Sequence, residues 1–263
     1  MDYIQSNKLA WEDAFRHRKP GWGDDNAARL QSEHLPFLHP DIVRVVEDMD
    51  FHGKTIAQFC CNNGRELLSL MQLGAVQGYG FDIAENLIAQ ARDTAAVAGV
   101  ACTFEACNLL ELPARYTGQF DFIFFTVGAL TWFEDLDPVF ALGKRCLKPD
   151  GVLLVHDSHP FLCLLPVPDE EEYREGEIRV TYPYFRDTPW LENSGMSYLS
   201  ETYDSPTFTS FTHTVSDILG GVLRAGLCLE LFQEYPHDVG ITPVYEGKDL
   251  PLSYLLLAKN RQK

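Results

Sequence analysis

The sequence predicts an α/β protein in which a parallel β-sheet is wrapped by helices. Short apolar runs alternate with amphipathic stretches from about Lys54 onward, as they do where parallel strands are joined by helices. The run 120–127 is almost entirely apolar, which is expected of a central strand buried on both faces. Glycine or proline separates many of these segments, where turns and helix ends favour them. The pattern indicates one main domain.

The first half of this alternation contains four strands and two helices. One helix begins at Gly64, carries its apolar residues on one side and closes at Gly74. The other runs from about Glu85 to Ala98, where Gly99 stops it. The predicted strands are 55–59, 78–82, 102–107 and 120–127.

The second half contains two further helices and three strands. A helix is predicted to begin with Asp137 as its N-cap and Pro138 in its first turn. It ends at the turn sequence 148–151, and 152–156 forms the fifth strand. A capping box at 214–217 opens the last helix. The chain then closes with strands at 228–232 and 252–258.

Two segments lie outside this alternation. The first contains two helical patterns, one after Ser6 and one after Pro40, and is predicted to form an N-terminal helical arm. The second is rich in aromatic residues and is predicted to form a β-hairpin lid that lines a substrate site. Its alternating residues Ile178, Val180 and Tyr182 predict the hairpin strand. The expected division is an arm at 1–48, a core at 49–158, an insertion at 159–213 and a final core segment at 214–263.

Composition and charge restrict the class of partner. The chain of 263 residues has 38 acidic and 21 basic residues, and its net charge of -17 would repel a phosphate backbone. No apolar run reaches the roughly 18 residues that span a membrane, and the first residues do not read as a secretory signal. The seven cysteines show no metal-ligand spacing, so no zinc site is expected. We therefore expect a cytoplasmic protein that binds a small molecule rather than nucleic acid or a membrane.

Candidate ligand-binding residues follow the predicted strands, because ligands of open α/β sheets bind beyond the carboxyl ends of the strands. A short loop of small residues follows the first strand, and Asn62 there can take the positive φ angle that most residues resist. Asp82 ends the second strand and is placed to accept hydrogen bonds from ribose hydroxyls. Asn108 could bond an adenine edge between the apolar faces of Ile83 and Leu109. The cofactor-site candidates are Phe59, Cys60, Cys61, Asn63, Gly64, Asp82, Ile83, Asn108, Leu109, Thr126, Val127 and Gly128.

With these residues, the chain resembles the class I S-adenosylmethionine-dependent methyltransferases over about residues 54–260. The segments that carry the resemblance are 56–64, 78–83, 104–113, 120–123 and 147–151. Gln58, Cys60 and Asn62 stand where the family usually has an acid and two glycines, and Asn108 where an Asp is more usual. The resemblance implies a Rossmann-like, doubly wound sheet of seven strands, mostly parallel with an antiparallel last strand and helices on both faces. It also implies S-adenosylmethionine as cofactor and S-adenosylhomocysteine as product.

Methyl transfer requires few side chains beyond those that hold the acceptor in line with the methyl group. His159 is the candidate base, with Asp157 to orient it, although histidines at strand ends are more often structural. Trp132, Phe133, His159 and Tyr184 are the candidates for the acceptor pocket, and ordinary packing explains the aromatic residues equally well.

Two other classes of function remain open at this point. An NAD(P)-dependent oxidoreductase would share the strand-loop-helix unit and the acid of the second strand. A non-catalytic protein that binds S-adenosylmethionine would explain the altered first loop. The enclosed, aromatic insertion favours the methyltransferase, because it is suited to exclude water from a reaction.

Overall fold

A computed structural model describes residues 2–240 and 242–261. The helices are α1 Tyr3–Arg16, α2 Asn26–Ser32, α3 Pro40–Val46, α4 Arg65–Leu70, α5 Glu85–Ala98, α6 Leu136–Cys146 and α7 Val215–Arg224. The strands are β1 Thr55–Phe59, β2 Gln77–Asp82, β3 Cys102–Ala106, β4 Phe120–Phe125, β5 Leu147–Ser158, β6 Trp190–Glu192, β7 Phe208–Ser210, β8 Cys228–Tyr235 and β9 Ser253–Lys259. Short 3-10 turns connect several of these elements.

Seven strands form one sheet in the order β3-β2-β1-β4-β5-β9-β8. Strands β1 to β5 are parallel, whereas β9 is antiparallel to both β5 and β8. The predicted mostly parallel sheet with an antiparallel last strand is confirmed. The strand order reverses between β1 and β4, and ligands of such sheets bind beyond the carboxyl ends of the strands at this reversal.

The apolar sequence of the central strands is explained by two separate cores, one on each face of the sheet. In β4, Ile123 and Phe125 pack on the face covered by α6 and α7, whereas Phe122 and Phe124 pack on the face covered by α3, α4 and α5. Successive side chains of a strand point to opposite faces, so both sets must be apolar. Helices thus cover both faces of the sheet, as predicted.

The N-terminal arm contains three helices rather than the two expected. Helix α1 begins at Tyr3, before the predicted start, because the side chain of Asp2 caps it by accepting a hydrogen bond from the Ile4 amide. Helix α2 was not predicted. It buries Asn26 and Leu30, but a helix of seven residues is too short to give a clear periodic pattern.

The hairpin of the insertion lies further along the chain than the sequence predicted. Ile178 and Val180 are exposed and lie outside the strands, so their alternation does not mark a strand. The antiparallel pair is instead formed by β6 and β7, with Trp190 opposite Ser210. Its strands have three residues each, too few to show a period of two in the sequence.

Two local predictions around α6 also needed correction. The N-cap of α6 is Asp135 rather than Asp137, because the side chain of Asp135 accepts a hydrogen bond from the Asp137 amide. The sequence 148–151 lies within β5 rather than between elements. Its turn residues form an irregularity in the pairing with β4, where Asp150 has a φ of 61°. The capping box of α7 is present as predicted at Thr214 and Asp217.

Candidate functional site

The loop after β1 follows a backbone path that suits glycine, although most of its residues are not glycine. Cys60 has a φ of 56°, Asn62 of 51° and Gly64 of 72°. Left-handed backbone is tolerated by asparagine but is strained for most other residues, including cysteine. The positions at which the family usually has glycine therefore keep the glycine conformation despite the changes to Cys60 and Asn62.

Gly64 is required by space as well as by its φ angle. A Cβ atom at this position would lie 2.4 Å from the ring of Phe104. Gly64 also precedes α4 as its N-cap and has no side chain with which to cap it. Gln58 supplies the cap, since its Oε1 accepts a hydrogen bond from the Leu67 amide at 3.1 Å. Its Nε2 donates to the hydroxyl of Thr126 at 3.0 Å, so this amide joins the ends of β1 and β4.

Asp82 lies at the carboxyl end of β2, beside the loop that follows β1. Its Oδ2 accepts a hydrogen bond from the Asn62 amide at 2.8 Å, and its Oδ1 accepts one from the Ala84 amide at 3.1 Å. Burial raises the pKa of Asp82, although these backbone donors oppose the effect. A carboxylate offers about four lone-pair positions. Asp82 therefore has capacity left to accept the two hydroxyls of a ribose.

The predicted cofactor residues that follow β3 lie at the same edge of the sheet as Asp82. The Cys107 amide donates to the Asp82 carbonyl at 2.7 Å, which places the residues after β3 beside those after β2. Asn108 caps a short 3-10 turn through the Leu110 amide, and its Nδ2 donates to Glu111 at 3.1 Å. Leu109 is buried in the core, whereas Ile83 is half-buried at the edge of the sheet. The structure thus gathers Asp82, Ile83 and Asn108.

Several predicted site residues turn their side chains away from this edge. Phe59 packs within the core against Phe81 and Phe125. Cys61 is fully buried, and the side chain of Asn63 donates to Gln90 in α5 at 3.2 Å. These three residues can therefore serve a ligand only through the backbone and through the shape of the loop.

Asp157 fixes the loop that follows β4, where Thr126, Val127 and Gly128 were predicted to lie beside the reaction centre. Its Oδ1 accepts hydrogen bonds from the amides of Gly128 at 2.7 Å and Ser158 at 2.8 Å. Burial raises the pKa of Asp157 to about 6, against the opposing effect of these donors. Asp157 thus positions the backbone of the loop.

His159, the candidate base, has a different carboxylate partner from the one expected. Its Nε2 lies 2.9 Å from Glu234 Oε1, and its Nδ1 accepts a hydrogen bond from the Phe161 amide at 3.0 Å. Among the residues that the structure describes, no hydrogen bond or ion pair joins His159 to Asp157. The pairing of these two residues was inferred from their closeness in sequence, and the structure does not support it.

The predicted acceptor-pocket residues do not form one group. Phe133 is buried in the core against the α6 and α7 face of the sheet. Tyr184 packs in a separate cluster with Leu162 and Tyr245, and its hydroxyl accepts a hydrogen bond from the Val215 amide at 2.9 Å. Trp132 is half-buried and packs instead against residues of the N-terminal arm and the insertion.

An aromatic cluster, formed by Trp11, Trp22, Trp132, Tyr198 and Phe208, lies between the arm, the end of β4 and the insertion. The ring of Trp11 contacts those of Trp132 at 5.3 Å, Phe208 at 5.5 Å and Tyr198 at 6.2 Å. Trp22 lies 6.4 Å from Tyr198. The sequence showed that each segment is aromatic, but no local spacing indicates which of these distant residues meet.

Tyr198 connects this cluster to the loop after β1. Its hydroxyl accepts a hydrogen bond from Asn62 Nδ2 at 2.8 Å, across 136 residues of sequence. Tyr198 as a whole remains 46% exposed, so it lies over the loop at the surface of the protein. The insertion therefore contacts the predicted cofactor loop directly, and Tyr198 becomes a further candidate for the site.

The topology defines a Rossmann-like α/β fold with candidate ligand-binding residues at the carboxyl ends of its strands. Residues 56–151 match the family model described as the methyltransferase domain. This match covers the segment from β1 to β5, which contains the loop at 60–64 and Asp82. Residues 56–151 are thus similar to the methyltransferase domain family, and the sheet around them has a Rossmann-like fold.

The similarity to solved structures extends beyond residues 56–151. An S-adenosylmethionine-dependent methyltransferase from Mesorhizobium loti is similar with a TM-score of 0.60 and 21% identity, over 88% of this chain and 99% of that protein. Another from Methanosarcina mazei has a TM-score of 0.60 and 16% identity, over 86% of this chain and 99% of that one. At these identities the likeness shows the fold.

A curated relative matches part of the chain. A tRNA U34 carboxymethyltransferase from Campylobacter hominis is 30% identical over 143 residues, which cover 52% of this chain and 48% of that protein. The chain spans about half the length of the curated relative it matches. Nothing in these comparisons favours a nicotinamide-dependent oxidoreductase or a non-catalytic protein. Within the described residues, no helix is both long and apolar enough to cross a membrane.

Proposed function

We propose that this protein transfers the methyl group of S-adenosylmethionine to a small-molecule acceptor. The observation that carries the proposal is the position of Asp82, a half-buried carboxylate held by two backbone amides at the carboxyl end of β2, with acceptor capacity left for a ribose. The match of residues 56–151 to the methyltransferase domain supports the same cofactor. S-adenosylhomocysteine would be the product.

The cofactor would lie along the edge formed by the ends of β1, β2, β3 and β4. Asp82 accepts the ribose hydroxyls, while Ile83 and Asn108 flank the adenine. The backbones of 60–64 and 126–128 line the rest of the cofactor. Cys60, Cys61, Asn63, Gly64 and Phe59 contribute through main-chain groups and shape, and Leu109 through the core beneath the adenine.

The reaction depends more on excluding water and on aligning the acceptor atom with the methyl group than on an acid or a base. The acceptor atom attacks the methyl carbon as the carbon–sulfur bond breaks, and the sulfonium takes the bonding electrons to become a thioether. In-line placement at about 3 to 3.5 Å accounts for much of the rate. The aromatic cluster supports this role. Trp132 lies just after β4, Tyr198 lies over the cofactor loop, and Trp11 contacts both rings. We propose that Trp132 borders the acceptor.

The positions of His159 and Asp157 favour supporting roles in this reaction. Asp157 holds the Gly128 amide, while His159 accepts a hydrogen bond from the Phe161 amide at Nδ1 and faces the Glu234 carboxylate at 2.9 Å with Nε2. We infer that neither accepts a proton from the substrate. Phe133 and Tyr184 pack elsewhere and would shape the site only through the elements that they support.

A small acceptor agrees better with the charge of the chain than an RNA does. The net charge of -17 opposes a polyanion, and the relative that is named for tRNA shares only about half of its length with this chain. The seven unpaired cysteines support a reducing compartment such as the cytoplasm. An acceptor screen should nevertheless contain bulk tRNA, because methylation of tRNA alone would overturn the assignment of a small molecule.

Thermal unfolding with and without S-adenosylhomocysteine tests the cofactor. A ligand at about 100 times its dissociation constant adds about 2.7 kcal/mol of stability, which is a rise of several degrees for a chain of this size. NAD serves as the parallel control. A rise with S-adenosylhomocysteine alone supports the proposal, whereas a rise with NAD alone, or with neither ligand, contradicts it.

A further inference from the structure

Three histidines converge on one buried carboxylate, Asp41, on the face of the sheet covered by α3. His39 precedes α3 as its N-cap, and its Nδ1 lies 3.2 Å from Asp41 Oδ2. His156 Nε2 lies 3.5 Å from the same oxygen, and His237 Nε2 lies 2.6 Å from it. The four residues come from the arm, from β5 and from the segment after β8, so distant parts of the chain meet at one point.

His156 lies in this cluster without a satisfactory hydrogen bond. Its side chain is fully buried, and neither ring nitrogen has a hydrogen-bond partner among the described residues. The 3.5 Å separation from Asp41 is too long for a good bond. A buried polar group without a partner destabilises the folded state, and most such groups in native proteins are satisfied by protein, water or an ion.

We propose that His39, Asp41 and His156 bind one divalent transition-metal ion of the zinc type. One ligand atom from each residue lies within 4.8 Å of the others. Ligand atoms about 2.0 to 2.1 Å from a tetrahedral ion are about 3.3 Å apart. The separations of 3.2 and 3.5 Å from Asp41 Oδ2 match that spacing. Two imidazoles and a carboxylate are also a ligand set that such ions accept.

The neighbours of the carboxylate fix its orientation. Arg44 donates to Asp41 Oδ1, and His237 shares a hydrogen bond with Oδ2. Metal-binding carboxylates are commonly held by outer partners in this way. The Nδ1 of His39 also accepts a hydrogen bond from the Asp41 amide, but this bond is long at 3.3 Å and an ion could replace it. The ring of His39 is partly exposed, which gives an ion a route from solvent.

This site is separate from the proposed cofactor site and does not depend on the proposed function. His156 and Asp157 are consecutive in β5, so their side chains point to opposite faces of the sheet. Asp157 faces the loop after β4, whereas His156 faces α3. The ion would therefore tie α3 to β5 and stabilise the fold rather than take part in methyl transfer. The seven cysteines, from which no zinc site was expected, contribute no ligand here.

Cobalt titration of the full chain, stripped with a chelator, tests the site. We expect one equivalent of Co²⁺ to give the intense visible bands of a four-coordinate ion, with no sulfur-to-cobalt charge-transfer band because no thiol is a ligand. Saturating Zn²⁺ should raise the thermal midpoint by about 5 °C or more. His156→Gln and His39→Gln should each abolish both effects. His39 is at the surface end of the cluster, so its variant should fold even if the His156 variant does not.

The matched control is His213→Gln, which changes a largely buried histidine whose Nε2 contacts the Phe133 carbonyl at 2.9 Å, outside the cluster. This variant should keep the cobalt spectrum and the zinc stabilisation. The proposal is wrong if the unmodified chain shows neither effect. It is also wrong if the spectrum shows thiolate ligation, or if binding persists in the His39 variant. Either of the last two results would mean that the exposed thiols or surface histidines bind the metal.

Discussion

The two halves of the candidate site differ in how the chain builds them. The cofactor half consists of the loop 60–64, Asp82 and the residues after β3. Its key contact, from the Asn62 amide to Asp82, joins residues 20 apart in sequence. The proposed acceptor half consists of α1, Trp132 and the segment 190–210, and contacts such as Asn7 with Thr209 join residues 202 apart. The first half is assembled by strand ends and turns, the second by long-range packing.

This difference implies that the two halves can be damaged separately. Contacts within the cofactor half hold a carboxylate toward a ligand, so changes there should reduce affinity more than stability. Contacts within the acceptor half join the arm to the insertion, so changes there should reduce stability more than cofactor affinity.

The largest effect is expected from Asp82→Asn. Asparagine has one acceptor oxygen, so it can accept from only one of the Asn62 and Ala84 amides, and it loses the charge that strengthens bonds to two ribose hydroxyls. We expect affinity for S-adenosylhomocysteine to fall about 100-fold, because a hydrogen bond to a charged group contributes about 1.5 to 3 kcal/mol. Isothermal titration calorimetry measures this affinity.

Asp121→Asn is the matched control for that change. Asp121 also accepts a backbone hydrogen bond, from the Thr55 amide at 2.9 Å. It lies at the amino end of β4, away from the carboxyl ends where the cofactor is proposed to bind. Its variant should retain the affinity of the unmodified chain. An equal loss in both variants would mean that Asp82 acts only through folding.

The next effect is expected from Asn7→Ala, in the acceptor half. Asn7 is buried, donates to the Thr209 carbonyl at 2.8 Å and accepts from the Thr209 amide at 2.7 Å. Its loss leaves both groups of Thr209 without a partner, so the free energy of unfolding should fall by about 2 kcal/mol. Denaturant unfolding measures this.

Ser6→Ala is the milder control, because Ser6 makes a single, partly buried bond to the Thr207 carbonyl. Both variants, studied where they are folded, should bind S-adenosylhomocysteine within about twofold of the unmodified chain, a difference of less than about 0.5 kcal/mol. A loss of affinity in Asn7→Ala as large as that in Asp82→Asn would show that the halves do not act separately.

A smaller effect is expected when the pH is lowered. Burial raises the pKa of Asp82, and the ribose hydroxyls bind its ionised form. Affinity should therefore be full where Asp82 is ionised and fall severalfold as the pH is lowered, beginning at a higher pH than the titration of an ordinary aspartate would require. Calorimetry at several pH values measures the slope. Asp82→Asn should show none, and a slope that survives in this variant would assign the titration to another group.

The smallest effect is expected from His159→Gln. The glutamine can keep one polar contact to Glu234 or to the Phe161 amide, and the proposed reaction does not use His159 as a base. Turnover with an identified acceptor should stay within about threefold, since loss of a positioned base costs about 100-fold or more. A loss of about 100-fold or more, with a changed pH profile, would show that His159 acts as the base.

The sheet and most of the cofactor half could be predicted because their signals are local. The apolar run of β4, the position of Asp82 at a strand end and the tolerance of Asn62 for positive φ each follow from a few neighbouring residues. The same reasoning works for the capping box of α7. These features depend on backbone geometry that a short stretch of sequence determines.

The acceptor half could not be predicted because its contacts are not local. Nothing near Tyr198 in the sequence indicates that its hydroxyl meets Asn62. The pairing of Asp157 with His159 was inferred from adjacency, yet each has partners elsewhere in the fold. The alternation of Ile178 and Val180 resembled a strand, but both are exposed and only tertiary contacts decide such short elements.

The most direct test of the account compares S-adenosylhomocysteine with an analogue that lacks both ribose hydroxyls, in the unmodified chain and in Asp82→Asn. Calorimetry gives four affinities, and hence the coupling between Asp82 and the hydroxyls. If Asp82 binds the ribose, the analogue should lose about 100-fold in the unmodified chain and much less in the variant. Equal losses in both proteins, or no binding of S-adenosylhomocysteine at all, would contradict the central claim that this edge of the sheet holds the cofactor.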